Sequence, residues 1–431
     1  MPWIAPDDVL GRALQTILSN EPFGARVCLI RDNRGRVRVA LERCEGKKTN
    51  AKNLEVILRK EIGGWFAGPV VDGNGSPAHR RISQELFANP QPWPLGWPAK
   101  VELADGSTRD IPVWLIGKVV LQSKESWLGR PSDPPAQTPR VVSFYSFKGG
   151  VGRTTTLCCV AARLAKSHEL KVVALDLDVE APGTGSFLGA RAHIGVVDHL
   201  LSHLATGEIG DVEPELVEGF DNLWVMPAGQ LDAAYLEKLS RLDFLSAGSD
   251  GHPSPAEAAL RALISTINSR LAPNVILLDC RAGLHDIGGL ALHRLSHADM
   301  LVARANPQAL DGMRIVLDAI QRIRPARERS VRLVQTMVPF PFGNEDAQRT
   351  IKKWRGEMYD LFRNSLYEDL EDEEMPAEDQ EAAHFPLLVG ERAELSRTSS
   401  LALLEPELLA HFDPIADAVV LATDLAVEGE S

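Results

Sequence analysis

Residues 141–156 read VVSFYSFKGGVGRTTT, an apolar run followed by a glycine-rich turn and a row of threonines. The run 141–146 scarcely alternates apolar and polar residues, which predicts a strand buried on both faces of a sheet. Glycines let backbone N–H groups point inward around phosphate oxygens, and a helix that follows the turn adds the positive end of its dipole. Strand, turn and helix in this order predict a phosphate-binding loop. The alternative is a strand-to-helix turn without a ligand.

The loop departs from the strict pattern GxxxxGK[ST] at two positions. Phe147 stands where that pattern has its first glycine, and Arg153 stands where it has its lysine. Arg153 keeps the positive charge, but a guanidinium is a planar fork rather than a point charge. We therefore expect the change to affect a catalytic rate more than phosphate binding. Thr154 is placed to offer its hydroxyl to Mg²⁺, and Thr155 is placed to reach an α-phosphate.

Beyond residue 140, apolar runs alternate with segments of helical periodicity. The runs lie at 171–178, 223–229, 274–280, 299–307 and 331–339, and the helical segments at 154–167, 255–271, 309–323 and 345–366. Buried strands that alternate with amphipathic helices predict an α/β fold, a mostly parallel sheet with helices on both faces. Ligands of such sheets bind at the carboxyl ends of the strands.

A proline-rich stretch divides the chain. Residues 128–140 contain four prolines, which exclude a helix or a central strand and predict an interdomain linker. Before it, residues 1–127 predict a small α+β domain, and after it residues 141–425 form the larger domain. In the first domain we expect helices at 6–19 and 51–62 and strands at 25–31 and 36–42.

Charge is unevenly distributed between these parts. The 431 residues carry a formal net charge of −13, but residues 1–140 have 20 Lys and Arg against 15 Asp and Glu, and the remainder has 26 against 44. Two segments concentrate this contrast. Residues 26–52 hold nine basic side chains, and residues 368–381 hold nine acidic ones, which suits a mobile insertion. The basic segment is explained either by a solvated hairpin face or by a docking surface for nucleic acid or an acidic partner.

The five cysteines show no CxxC pair and no spacing typical of a metal site, which is typical of a reduced protein without structural zinc. The N-terminal residues are acidic where a secretory signal would be basic and apolar, and no window is apolar enough to span a membrane. We therefore expect a cytoplasmic protein.

Carboxylates follow two further predicted strands. Asp176 and Asp178 end the run 171–178, and Asp279 ends the run 274–280. Two acids at one strand end are common, but a second cluster at the same edge of a parallel sheet favours a metal and phosphate site.

The segment KGGVGR at 148–153 resembles the deviant Walker A loop, KGGxGK[ST], of the ParA/MinD family of P-loop ATPases. The resemblance covers roughly residues 140–425. It implies ATP and Mg²⁺ as cofactors, and catalytic roles for Lys148, which would cross to the partner of a nucleotide-bound homodimer, and for Asp178, which would orient the attacking water. It also implies Thr154, Asp176 and Asp279 as the residues around the metal.

Other segments resemble the same family. LWVMPAG at 223–229 resembles its strand ending in Pro-Ala-Gly, and LVQTMVP at 333–339 places Thr336 where an adenine-reading asparagine usually stands. Base preference is therefore less defined than phosphate binding. The nucleotide-binding residues that the resemblance implies are Lys148, Gly149, Gly150, Val151, Gly152, Arg153, Thr154, Thr155, Thr336 and Pro339.

Two arginine features have alternative interpretations. Arg281 follows the predicted metal-binding strand and is either a charge sensor or a salt-bridge partner. Four arginines between 322 and 329 form a candidate DNA or partner patch, or else a solvated loop that faces acidic neighbours. They are Arg322, Arg324, Arg327 and Arg329.

The resemblance implies a dimerising ATPase switch that controls protein-partner or DNA interactions by its nucleotide state. It would serve DNA or cargo positioning or a bacterial defence-type system. Its hydrolysis would be slow, and its protein partner would bind the N-terminal domain. A membrane is not an expected partner, since the C-terminal residues are acidic and anionic lipid would repel them. The alternative function is a nucleotide-binding scaffold or sensor without hydrolysis.

Overall fold

The computed structural model describes most of the chain and divides it into two compact units, 1–122 and 123–431. The described residues are 8–19, 27–31, 36–42, 50–88, 100–102, 108–110, 113–116, 127, 138–242, 254–323, 330–367 and 380–425.

In the residues that the structure describes, the first unit combines three α-helices with a small sheet. The helices are α1 (Asp8–Ser19), α2 (Ala51–Ile62) and α3 (Pro77–Ala88), and the strands are β1 (Val27–Arg31), β2 (Val37–Leu41), β3 (Val71–Asp72), β4 (Lys100–Glu102), β5 (Thr108–Asp110) and β6 (Val113–Ile116). Four strands form a sheet in the order β3-β2-β1-β6, and β4 pairs with β5 separately. The neighbours β1 and β2 are antiparallel, with Val27 opposite Leu41.

Local sequence explains these elements. In β2, Val37 and Val39 are buried and Arg38 between them is exposed, as a half-buried strand requires. The Asn50 side chain accepts a hydrogen bond from the first turn of α2, and Gly63 ends that helix with a positive φ of 55°. The prediction of a small α+β domain is confirmed.

The second unit is built on a sheet of eight strands. They are β7 (Arg140–Tyr145), β8 (Val172–Leu177), β9 (Glu215–Leu216), β10 (Leu223–Met226), β11 (Val275–Cys280), β12 (Ala298–Arg304), β13 (Ser330–Val338) and β14 (Leu387–Gly390). Their order is β14-β13-β12-β7-β11-β8-β10-β9, and every neighbouring pair is parallel except β9 and β10. The strand that precedes the glycine-rich loop, β7, therefore lies in the middle of the sheet.

Helices cover both faces of this sheet. They are α4 (Arg153–Ser167), α5 (Thr184–Leu188), α6 (Val196–Thr206), α7 (Ala233–Arg241), α8 (Pro255–Leu271), α9 (Asp286–Leu290), α10 (Pro307–Ile323), α11 (Glu345–Ser365), α12 (Ala393–Arg397), α13 (Pro406–Leu409) and α14 (Asp413–Ala422). One core contains buried residues of α4 and α14, and the other contains buried residues of α6, α8, α10 and α11. The predicted α/β fold of the P-loop NTPase type is confirmed.

Some predicted features lie at the edge of the described residues or outside them. Arg140 was expected in the linker and is the first residue of β7, whereas residues 128–137 lie outside the described part. The same holds for residues 368–379 of the acidic segment. Within the described part, no helix is long and apolar enough to cross a membrane.

Trp127 packs into the second unit, although the sequence analysis grouped it with the N-terminal domain. Its indole is 4 % exposed and lies against the rings of Tyr145 and His293, with centroids 5.7 and 5.3 Å away. Its Nε1 donates a hydrogen bond to the backbone carbonyl of His285 at 2.9 Å, and the Tyr145 hydroxyl donates to the carbonyl of Gly283. Trp127 therefore holds the loop that follows β11.

We expect Trp127→Ala to lower the free energy of unfolding of the second unit by about 3–5 kcal/mol, because it empties a large buried site. Trp127→Phe keeps most of the apolar contact and loses the indole donor, so about 1–2 kcal/mol is expected. Urea unfolding followed by far-ultraviolet circular dichroism measures both values. Leu236→Ala, at an exposed position, is the control. Equal midpoints for Trp127→Ala and the unmodified chain would contradict the packing role.

Candidate active site

The glycine-rich loop leaves the carboxyl end of β7 and leads into α4. Gly150 and Gly152 have φ values of 72° and 79°, a left-handed conformation that favours glycine. A Cβ atom placed on Gly149, Gly150 or Gly152 would have no other atom within 4 Å, so the space over the loop is open. The side chain of Lys148 is exposed at this edge.

Phe147 anchors the start of the loop. Its ring lies directly against the backbone of Gly312 in α10, where even a Cβ atom would overlap with the ring. The residue that replaces the first glycine of the strict motif therefore has a packing role. Sequence reasoning did not identify Gly312, although an isolated glycine inside a predicted helix is a signal of close packing.

Arg153 points into the protein and joins two carboxylates. Its Nε donates to Asp279 at 2.5 Å, and its Nη2 donates to Asp178 at 2.8 Å. Its Nη1 lies 3.4 Å from the Ser146 hydroxyl, so each guanidinium nitrogen has a partner. The Arg153 side chain is 7 % exposed, and those of Asp178 and Asp279 are 13 % and 0 % exposed. Burial alone would lower the pKa of Arg153, but Asp279 and Asp178 raise that pKa above its ordinary value.

Asp279 is the centre of a hydrogen-bond network. Besides Arg153, it accepts hydrogen bonds from the hydroxyls of Thr154 and Thr184, both at 2.7 Å. Thr154 is the second residue of α4, and Thr184 begins α5 after the strand that carries Asp176. Thr184 was not predicted from the sequence, where its only signal is its place in the loop that follows Asp176 and Asp178.

Asp176 is the register partner of Asp279 on the adjacent strand and is fully buried. Its carboxylate accepts hydrogen bonds from the backbone N–H groups of Asp178, Gly183 and Thr184 at 3.0–3.2 Å. Burial and the carboxylates of Asp279 and Asp178 raise the pKa of Asp176 well above its usual range, against the opposite effect of the N–H donors. Asp176 therefore shapes the loop after β8, and the guanidinium of Arg153 contacts the other two carboxylates.

The loops after β8 and β11 are also joined by Glu180. Its carboxylate forms an ion pair with Arg281 and lies 3.5 Å from His285, whose carbonyl binds Trp127. Of the two interpretations of Arg281, the structure shows the salt bridge.

Thr336 is buried at the carboxyl end of β13, where its hydroxyl donates to the carbonyl of Ala303 at 3.3 Å. In the described residues, no hydrogen bond joins Thr336 to the glycine-rich loop. Pro339 follows the strand and is half-buried. Recognition of the base by these two residues stays a prediction.

Most of the arginine patch lies outside the described part. Arg324, Arg327 and Arg329 fall there, and only the backbone of Arg322 is described, within α10. The neighbouring Arg332 is described, and its guanidinium donates to the backbone carbonyl of Glu381.

The residues at this edge fit a phosphate group and Mg²⁺. Open space lies over the glycines, and the Thr154 hydroxyl lies 2.7 Å from Asp279. Among the described residues, no group of three His, Cys, Asp or Glu side chains is arranged to hold a metal by itself. Mg²⁺ commonly uses one or two carboxylates together with substrate phosphates and waters, so Thr154 and Asp279 are residues that would hold it.

We expect Gly312→Ala to lower the free energy of unfolding by about 1–3 kcal/mol, because the added methyl overlaps with Phe147. Adding Phe147→Ala should recover part of that loss, and a double-mutant cycle on thermal unfolding measures the coupling. Gly356→Ala is the matched control in α11, since its Cβ meets no atom within 4 Å. This control should stabilise the chain by about 0.5–1 kcal/mol. Additive effects of the Gly312 and Phe147 changes would contradict the contact.

The chain is similar to several known proteins. The family described as "AAA domain" matches residues 139–333. The chromosome-partitioning ATPase Soj of Thermus thermophilus is 31% identical over 203 residues, which are 46% of this chain and 68% of that protein. A plasmid partition protein from Borrelia burgdorferi is 16% identical with a TM-score of 0.43, and the match covers 66% of this chain and 98% of that one. MinD with Mg-ADP from Pyrococcus horikoshii is 17% identical with a TM-score of 0.42, and the match covers 65% of this chain and 95% of that one. By its loop, its carboxylates and its match to Soj, the chain belongs to the ParA/MinD family of P-loop ATPases.

Proposed function

We propose that the protein is an ATP- and Mg²⁺-dependent switch that dimerises with nucleotide and hydrolyses ATP slowly. The observation that carries this proposal is the meeting of Arg153, Thr154, Asp178 and Asp279 beneath an open glycine-rich loop. Phosphoryl transfer requires positioned cations and a positioned water, and these side chains can supply the protein's part of both.

Each residue has a distinct part in the proposed hydrolysis. Backbone N–H groups of residues 149–152 bind the phosphates, and Arg153 adds a bidentate cation. Thr154 and Asp279 hold Mg²⁺, which neutralises phosphate charge when bound. Asp178 is the least buried of the three carboxylates, which suits a residue that orients water from solvent.

Two features support dimerisation with nucleotide. Lys148 is exposed, and in the described residues no ion pair holds it. Three exposed apolar side chains, Ile194, Leu231 and Leu236, come from segments that His193 and Gln230 join by a 3.0 Å hydrogen bond. The same region is tied to the loop after β8, because the Tyr235 hydroxyl donates to the carbonyl of Val179 at 2.7 Å. A second copy that docked there would cover the nucleotide edge.

The output of the switch is an interaction controlled by nucleotide state. We assign a protein partner to the N-terminal unit, whose strand β2 exposes Arg38, and we propose DNA as a second partner through the arginines near residue 327. The process served is DNA or cargo positioning or a bacterial defence-type system. The described cysteines are all free and buried, in keeping with the cytoplasm.

A second function is a nucleotide-binding scaffold that does not hydrolyse. It is favoured by one observation, the pairing of Arg153 with both Asp178 and Asp279, since a site held in this form lacks a free carboxylate to orient water. Phosphate release distinguishes the two functions.

We expect phosphate release in Asp178→Asn to fall by about 10²–10⁴-fold, because the residue that orients the water is lost. Binding of a fluorescent ATP analogue should remain. Asp211→Asn, at an exposed aspartate paired with Arg270, is the control and should hydrolyse normally. If the unmodified chain releases no phosphate at any protein concentration, the scaffold function replaces the ATPase.

For dimerisation, we expect a non-hydrolysable ATP analogue with Mg²⁺ to double the mass in light scattering. Lys148→Ala should abolish this shift, because no cation would reach the partner's phosphates. Lys171→Ala is the control, as this exposed lysine precedes β8 at the opposite end of the sheet. A monomer in every nucleotide state would exclude the dimer.

A further inference from the structure

The guanidinium of Arg153 contacts Asp279, a residue that would hold a metal, and Asp178, a residue that would orient a water. The guanidinium lies between Asp178 and Asp279, at 2.8 and 2.5 Å, and all three nitrogens have protein partners. None of these partners belongs to the glycine-rich loop that would hold the phosphates. The side chain is therefore directed at the carboxylates rather than at the phosphate space.

The charges at this edge require such a cation. Asp176 and Asp279 are register partners on adjacent strands and are fully buried, and Asp178 follows two residues after Asp176. Asp176 is held by backbone N–H donors, whereas Asp178 and Asp279 form ion pairs with Arg153. A buried carboxylate without a partner is strongly destabilising, so Asp178 and Asp279 need the positive charge of the guanidinium. The planar fork of arginine can pair with two carboxylates at once, which a lysine ammonium does less well.

We propose that the guanidinium of Arg153 competes with a divalent cation for Asp178 and Asp279 and excludes that cation until a phosphate group withdraws the guanidinium. The proposal rests on the nucleotide binding proposed above and adds the order of events. Asp279 already accepts hydrogen bonds from Arg153, Thr154 and Thr184, so a divalent cation must compete with the guanidinium for it. Nucleotide phosphates offer the guanidinium an alternative bidentate partner and free Asp178 and Asp279 together.

The binding of nucleotide and the binding of the cation are coupled in this proposal. If phosphate withdraws Arg153 and thereby admits the cation, nucleotide and cation must strengthen each other's binding by the same factor. Removing the guanidinium should raise the affinity of the chain for the cation without nucleotide and should lower this coupling factor.

Mn²⁺ binding to the full chain tests this, because Mn²⁺ shares the preference of Mg²⁺ for carboxylate and water ligands and is seen by electron paramagnetic resonance. Arg153→Gln should bind Mn²⁺ without nucleotide about tenfold or more tightly than the unmodified chain does. ADP should strengthen Mn²⁺ binding of the unmodified chain by a similar factor and have little effect on the variant.

Two controls distinguish Mn²⁺ binding at this site from Mn²⁺ binding elsewhere on the chain. Arg163→Gln removes another arginine of α4, which pairs with Asp413 away from the loop, and should leave Mn²⁺ binding unchanged. Adding Asp279→Asn to Arg153→Gln should abolish the gain. Where Arg153→Gln does not fold, Arg153→Lys takes its place, with a smaller gain expected because one ammonium cannot bridge both carboxylates as a fork does.

The proposal is overturned if the unmodified chain binds Mn²⁺ alone as tightly as the folded Arg153 variant. Failure of the proposed function is a different result. A chain that does not bind a fluorescent nucleotide analogue would contradict the proposed switch. The Mn²⁺ titrations without nucleotide would still decide the role of Arg153.

Discussion

The paired interaction of Arg153 with Asp178 and Asp279 is the constraint on which the carboxyl edge of the eight-stranded sheet depends. These residues come from the start of α4 and the ends of β8 and β11, three segments far apart in the sequence. Parallel strands bring their carboxyl ends to one edge, and the acids that this places together cannot remain buried without a cation. The sheet brings the carboxylates of Asp178 and Asp279 together, and the guanidinium of Arg153 neutralises their charge.

The loop that carries Arg153 is held from beneath by apolar packing. Phe147 fits against Gly312, and Tyr145 lies against Trp127 while its hydroxyl binds the carbonyl of Gly283. Because close-packed interiors transmit small displacements, the position of the guanidinium depends on contacts that never touch a phosphate. Trp127 lies near the start of the second unit, which begins at Ser123, and its indole binds the loop after β11. A displacement of that loop would therefore displace Trp127 as well.

The architecture could be predicted from sequence because both of its signals are local. Uninterrupted apolar runs marked the central strands, and Asp176, Asp178 and Asp279 were recognisable by their places at strand ends. The inward direction of Arg153 and the contact of Thr184 with Asp279 could not be predicted, because both depend on side chains brought together by the sheet. Thr336 illustrates the same limit. Its place near a strand end was recognisable, but the hydrogen bond from its hydroxyl to a carbonyl of the adjacent strand depends on how the sheet assembles.

Arginine in place of lysine changes how Asp178 and Asp279 are held and released. A lysine ammonium is a compact, strongly hydrated charge that changes partners readily. A guanidinium that pairs with two carboxylates leaves them only when an equally good bidentate acceptor is present. A nucleotide phosphate is such an acceptor, and water is not. With arginine, Asp178 and Asp279 are therefore released when phosphate binds the guanidinium. A site of this composition binds metal only together with its nucleotide.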